Sequence, residues 1–507
     1  MTSPSSTSTT VPRAEERWTA LQWGTLFVLC AALFLDALDV SMVGVALPSI
    51  GHDLDLSTSS LQWVVSGYVL GYGGLLLLGG RAADLLGRRR VFLTALAVFA
   101  VASLLGGLVD SGELLIATRF IKGLSAAFTA PAGLSIITTS FAEGPVRNRA
   151  LTIYSSCGAT GFSMGLVLSG FLTEAGWRWT MLLPAPVAVI ALLAGLKLIP
   201  KSPRERGEGR GYDLPGAVTG TGAMLLLVFT VVSAADAGWA SLRTLGSFAA
   251  VAVLLAAFVT VEQRSSHPLI RLGVFRVAGQ VRANIGAATF FGSYVAFQFL
   301  VTQYLQNVLG YSAMQTALAF LPAGALVAIL STRMGPIVDR FGTPRVITFG
   351  FTALVVGYVL FLRINLHPSY AAVILPSMLL LGAAFATAFP SLNIQATNGV
   401  KDNEQGMVSG LLNTSFQVGG AIFLAVVTAV VTAHTGHGGG KQAVLDSYRP
   451  GLWVITGIGV LGLLVTVSGL RRRRPSYGLL VASSATEPIR EQQVDATRDD
   501  AQVAARD

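Results

Sequence analysis

Residues 80–90 read Gly80-Arg81-Ala82-Ala83-Asp84-Leu85-Leu86-Gly87-Arg88-Arg89-Arg90, and 255 positions later the chain reads Gly335-Pro336-Ile337-Val338-Asp339-Arg340-Phe341-Gly342. Both obey G-x-x-x-D-x-x-G with basic residues alongside, and both lie between long apolar blocks. A polar, glycine-bounded segment that recurs between apolar blocks marks an internal repeat. Composition agrees: 52% of the 507 residues are hydrophobic and 12% are charged, whereas a soluble chain carries about a quarter charged residues. A helix crosses the bilayer core with about 20 apolar residues, and the chain supplies such blocks repeatedly. Alternating segments of about 10 residues, the mark of a membrane β-barrel, are not visible. The sequence predicts an all-α membrane protein.

Fourteen spans are predicted, at 22–47, 60–80, 91–109, 114–140, 149–172, 178–199, 214–234, 243–262, 284–306, 316–334, 345–363, 371–395, 407–433 and 451–470. Lys and Arg in short loops set the orientation of such a chain. Alternate loops and both tails hold 23 of them on one side, from Arg13 and Arg17 through Arg88–Arg90 to Arg471–Arg474. The other side holds 5: Arg178, Arg243, Arg363, Lys441 and Arg449. Both termini are therefore expected in the cytoplasm of a bacterial cell, with the chain in its inner membrane. Six spans with short loops need roughly 180 residues, fewer than the repeat offset. The surplus fits an extra helix pair between two six-helix bundles. The expected organisation is a disordered cytoplasmic tail at 1–20, a bundle at 21–200, two additional helices at 213–263, a second bundle at 284–470 and a disordered tail at 471–507.

Several function classes drop out. The basic balance is a topology signal, so no nucleic-acid partner is expected. Cys30 and Cys157 sit inside apolar blocks, which argues against a structural disulfide. His434 and His437 are too few for a metal site, and no metal or cofactor is expected. Gly457-Ile-Gly459-Val-Leu-Gly462 matches G-x-G-x-x-G but lies inside a span, where it reads as a packing face. There is no P-loop, so the proton gradient is the expected energy source. No enzymatic activity is expected.

Five further stretches carry a resemblance. Leu38-Asp39-Val40-Ser41-Met42-Val43-Gly44-Val45-Ala46-Leu47-Pro48 and Arg119-Phe120-Ile121-Lys122-Gly123 lie in spans 1 and 4. Trp177-Arg178-Trp179, Tyr304-Leu305-Gln306 with Gly310-Tyr311-Ser312, and Gly406-Met407-Val408-Ser409-Gly410-Leu411-Leu412-Asn413 follow. With the two hairpins, these resemble the major facilitator superfamily, and within it the fourteen-span drug:proton antiporter branch, over nearly all of 20–470. The resemblance implies the major facilitator fold: two six-helix bundles plus two extra central helices. Ser41, Gly44 and Lys122 stand where the branch usually has Thr, Asn and Gln. In span 5 the branch's proline is replaced by Leu166, while the close-packing glycines Gly161, Gly165 and Gly170 are kept.

Ionisable groups inside a bilayer are costly, so each needs a reason. Asp36 and Asp39 in span 1, and Arg119 and Lys122 in span 4, are each spaced i, i+3 and share a helix face. The resemblance implies that both spans line a central cavity. Asp39, with Asp36, is the expected protonatable element; Arg119 modulates it, and Lys122 is expected to neutralise Asp36. In the hairpins, Gly80, Asp84, Gly87, Arg88 and Arg89, with Asp339 and Arg340, are implied by the resemblance to latch the outward-facing state. Expected substrate contacts are Trp63, Tyr68, Phe291, Tyr294, Gln298, Gln303, Gln306, Asn393, Asn413 and Gln417. Phe291, Tyr294 and Gln298 fall at i, i+3 and i+7 on one helix face.

The expected function is proton-coupled efflux of small amphipathic molecules by alternating access, an antibiotic or multidrug exporter acting as a monomer in the lipid bilayer. Two alternatives stand beside it: export of a lipid or lipophilic metabolite, and a non-transporting membrane sensor with the same fold.

Overall fold

The computed structural model describes residues 18–142, 145–201, 214–265, 273, 277–331, 333–398, 405–434 and 440–470; some side chains within these ranges, Asp84 among them, are not described. The described residues are helical with short connections. Helix α1 (Ala20–Asp53) starts at a capping box: Gln22 N donates to Thr19 Oγ1, and Thr19 N donates back to Gln22 Oε1. Helices α2 (Thr58–Leu86), α4 (Gly112–Ser140) and α9 (Leu242–Arg264) each begin after a serine whose hydroxyl accepts a first-turn N–H. Between them lie α3 (Arg88–Gly106), α5 (Pro145–Ala175), the short α6 (Arg178–Leu182), α7 (Pro184–Leu198) and α8 (Leu214–Ala237). Then come α10 (Ala278–Gln303), α11 (Ala313–Ser331), α12 (Met334–Phe341), α13 (Thr343–Phe361), α14 (Leu375–Thr397), α15 (Gln405–Ala433) and α16 (Lys441–Leu470). π turns extend α10 at Tyr304–Val308 and precede α14 at Tyr370–Ile374.

Among the described residues, thirteen segments are long and apolar enough to cross a membrane, α6 and α7 together forming one. Helix α2, 29 residues long, covers the span expected at 60–80 but is not among these thirteen. The helices overrun the apolar runs that announced them. Helix α1 continues to Asp53 rather than 47, α10 starts at Ala278 rather than 284, and α16 starts at Lys441 rather than 451. Backbone hydrogen bonding continues through the polar residues at which the apolar runs stop. The span expected at 316–334 is a correction of another kind. Helix α11 ends at Ser331, and Arg333 caps the separate helix α12, which carries Asp339 and Arg340.

The two halves repeat the same pairings. In the first, α1 packs on α5, α2 on α4 and α3 on α4; in the second, α10 packs on α15, α11 on α14 and α13 on α14. The halves meet along two seams, α5 with α11 and α2 with α15. The pair α8–α9 is central in sequence but flanks in space: α8 lies against α2 and α15, while α9 buries only 11% of its apolar stretch. Helix α5 runs unbroken through Leu166, as the missing proline predicts. A methyl group on Gly161 would collide with the Phe34 carbonyl, and one on Gly165 with Ser41 Oγ, so both are needed for α1 to seat on α5. Gly170 faces Met314 and Ala317 of α11 across the seam.

The repeated hairpin has a backbone cause. Gly87, between α2 and α3, has φ +96°, and Gly342, between α12 and α13, has φ +81°. Only glycine adopts that region without strain, which explains why the last position of G-x-x-x-D-x-x-G is glycine in both copies. The tails at 1–17 and 471–507 lie outside the described residues. The chain divides into one unit through Val467 and a second from Ser468, of which only the last turn of α16 is described.

Candidate functional site

The four charges inside the spans converge. Asp39, fully buried in α1, receives Arg119 Nη1 on Oδ2 and Lys122 Nζ on Oδ1. Arg119 also donates Nε to the Val64 carbonyl at 3.2 Å, and its guanidinium lies 4.7 Å from the Tyr68 ring centroid. Lys122 lies 4.9 Å from the Phe99 ring centroid. The expectation that Lys122 neutralises Asp36 is therefore corrected. The i, i+3 pairs do share faces, but α4 aims both cations at the deeper carboxylate. Asp36, one turn away and 8% exposed, is hydrogen-bonded by Thr129 Oγ1 at 3.1 Å. Thr129 was not singled out in the sequence. Its signal was available, because 129 follows 122 by seven positions and shares that helix face.

The hairpin residues divide. Gly80 sits near Pro131 of α4, and Arg89 Nη2 donates to the Leu196 carbonyl at 2.6 Å, tying α3 to the end of α7. Arg88 has an interaction partner. Asp339 and Arg340 are exposed, with the Arg340 guanidinium 5.4 Å from the Phe341 ring centroid. The latch role expected of Asp84 depends on a side chain outside the described residues.

The expected substrate contacts scatter. Trp63 packs on Phe229 of α8, 5.8 Å between centroids, and so faces the flanking pair rather than the centre. Tyr68 is 1% exposed and belongs to the charge cluster. Gln303 is buried, 3.5 Å from Asn307 Nδ2, while Asn393 and Asn413 donate to carbonyls of their own helices. Gln417 packs its Cβ against Gly73 on the α2–α15 seam. Gln298 lies beside Gly44, so the small residue at 44 makes room for it. Gln306 sits in the π turn that ends α10, a local widening frequent at functional sites, and its amide donates to the Val45 carbonyl at 2.9 Å across the two halves.

Phe291 and Tyr294 do join a common surface. Phe162 of α5 stacks on Phe385 of α14, 5.8 Å apart and 13° from parallel. Phe385 contacts Tyr294 at 5.1 Å and Phe389 at 5.1 Å, Phe389 contacts Phe416 at 4.9 Å, and Phe416 contacts Phe291 at 6.0 Å. Phe162, Phe291, Phe385 and Phe389 are only partly buried. This ladder bridges both halves and offers aromatic faces to an apolar molecule between them. Phe162, Phe385, Phe389 and Phe416 were not anticipated; the i, i+4 spacing of Phe385 and Phe389 was the available clue.

Hydrogen bonds join the halves toward the arginine-poor end. Besides Gln306, Ser312 Oγ donates to Glu174 at 2.8 Å, and nearer the middle of the helices Ser163 Oγ donates to the Gly324 carbonyl at 3.3 Å. At the same end Arg178 bridges Asp53 at 2.5 Å and Asp110 at 2.7 Å, and Trp177 Nε1 donates to Asp53 at 2.8 Å.

The Major Facilitator Superfamily model matches residues 29–424. This chain belongs to that superfamily. Among its relatives, the puromycin resistance protein pur8 of Streptomyces alboniger is 36% identical over 456 residues, covering 88% of this chain and 90% of that protein. The cephamycin export protein CmcT of Amycolatopsis lactamdurans is 37% identical over 446 residues, covering 87% and 90%. Among solved structures, a peptide transporter of the POT family in an auto-inhibited state superposes with TM-score 0.65 at 16% identity, over 89% of this chain and 97% of that one. A bacterial homologue of the lysosomal transporter Spinster gives 0.64 at 17%, over 91% and 100%. These likenesses establish the fold. In this facilitator chain the seams and the repeated hairpins are then features of a multi-pass membrane transporter.

Proposed function

We propose that this chain uses the proton gradient to export small amphipathic molecules, closing and opening its two seams alternately. That it is an efflux transporter of the antibiotic- and multidrug-exporter type follows from relatives of that kind aligned over nearly its whole length. The observation that supports proton coupling is the charge cluster. Two acids and two bases meet inside the apolar core, where charges without a task are costly. The partly open aromatic ladder supports an apolar or aromatic substrate. With the arginine-rich loops in the cytoplasm, the hydrogen-bonded end faces outward, so the described state is closed to the outside and accepts substrate from within. Both termini then lie in the cytoplasm of a bacterial inner membrane. The protein works as a monomer and moves its substrate without transforming it.

The test is a susceptibility screen in an efflux-deficient host expressing the chain, with puromycin, lincomycin and ethidium as probes. Raised tolerance to at least one probe, lost when a protonophore collapses the gradient, is the expected result. Unchanged tolerance to all three at confirmed expression counts against drug export, and tolerance that survives the protonophore counts against proton coupling.

A further inference from the structure

We propose that Asp36, paired with Thr129, is the group that takes up and releases the coupling proton, and that Asp39 is a fixed counter-ion. This rests on the proton-coupled reading above and assigns roles within it. Both carboxylate oxygens of Asp39 are held by separate cations in a site closed to solvent. A proton arriving there must displace Arg119 or Lys122 and leave a cation buried without its partner, which is strongly unfavourable.

Asp36 is different. Both nearby cations are committed one turn away, and its hydrogen bond comes from a neutral hydroxyl. Thr129 Oγ1 lies 3.1 Å from Asp36 Oδ2 and 3.2 Å from the Ala126 carbonyl of its own helix. A hydroxyl carries one hydrogen and can also accept. When Asp36 is ionised, Thr129 gives that hydrogen to the carboxylate. When Asp36 is protonated, its O–H points to Thr129 Oγ1, and Thr129 turns its own hydrogen to Ala126. The proton is the only atom gained, no covalent bond besides O–H forms or breaks, and the contact between Asp36 Oδ2 and Thr129 Oγ1 is kept in both states with its direction reversed. A buried carboxylate without an adjacent cation is costly; this hydroxyl lets the neutral form replace it without moving a heavy atom.

The other titratable or charged groups around Asp36 are Asp39 on α1, Lys122 on α4, Tyr68 and Tyr72 on α2, and Tyr154 on α5. Protonating Asp36 leaves two cations against one anion, so the uptake step changes the charge of the interface between α1, α2 and α4. That change is what the seams would sense.

Infrared difference spectroscopy on the purified, lipid-reconstituted protein tests this. On stepping pH between about 9 and 5, the wild type should gain a protonated-carboxyl band. Asp36→Asn should lose it, Asp36→Glu should restore it at a shifted frequency, and Thr129→Val should move its midpoint. The double variant Asp39→Asn/Lys122→Met, which keeps the charges matched, should retain it. Glu262 is a further buried acid among the described residues, and subtraction of the Asp36→Asn spectrum removes its contribution. A band that survives in Asp36→Asn and disappears in the double variant overturns the assignment while leaving proton coupling intact. No titrating band in the wild type overturns the assignment and the proton-coupled reading together.

Discussion

Asp39 carries two cations, and that fixes what its replacement does. Removing one partner of a buried ion pair costs about 3–5 kcal/mol, so Asp39→Asn is expected to lower stability by roughly that amount and to depress the unfolding temperature in detergent. Replacing Lys122 with Met in the same molecule restores one cation to one acceptor and should recover much of the loss. A single variant as stable as wild type would mean that the Arg119–Asp39–Lys122 contacts are not maintained in solution. Loss of transport in Asp39→Asn therefore mixes a stability defect with a coupling defect, whereas changes at Asp36 and Thr129 leave the ion pairs in place. The charged residues were legible in the sequence because charge is rare in apolar spans. Their pairing was not, because i, i+3 spacing gives the face and not the depth at which an opposing helix presents its cations.

At the scale of elements, the hairpins read best from sequence. The glycine that closes each motif has positive φ in both copies, at Gly87 and Gly342. Gly87→Ala and Gly342→Ala should each cost about 1–3 kcal/mol, read as lowered unfolding temperature, whereas alanine at the exposed Gly335 should cost less. Equal effects at all three positions would remove the conformational reading of the motif. The substrate-facing residues were the least legible. These helices are apolar on nearly every side, so periodicity cannot say which stripe meets lipid, a partner helix or the space between halves. Trp63 turned out to face Phe229, and the aromatic ladder came from residues such as Phe162 and Phe385 that sequence alone could not orient. Helix α12 was hidden for a related reason: its eight residues follow α11 with hardly a break.

For the whole molecule, the state seen here is held by seams, and one seam carries an unsatisfied group. On α2, both amide atoms of Gln62 are buried without a hydrogen bond, as is the hydroxyl of Thr428 on α15. The contacts of Gly73 with Gln417 and Gly420 with Val69 run antiparallel and bring residues 62 and 428 to the same level of that seam. A buried unpaired polar group costs about 1–3 kcal/mol, so Gln62→Leu should stabilise this closed state and slow turnover, with both readable as a raised unfolding temperature and a lowered transport rate. A faster or less stable variant would contradict that. The two-bundle plan with an extra helix pair was legible from charge and repeat, but the flanking place of that pair and the state of the seams were not, since no pattern in the chain records them. The most direct test of the account is transport, in proteoliposomes with an imposed pH gradient, of a probe to which the chain raises tolerance in the susceptibility screen, with internal pH followed at the same time. The account predicts uptake against its own gradient that scales with the pH difference, accompanied by proton movement in the opposite direction. Transport at the same rate without the gradient, with no proton movement, would contradict it.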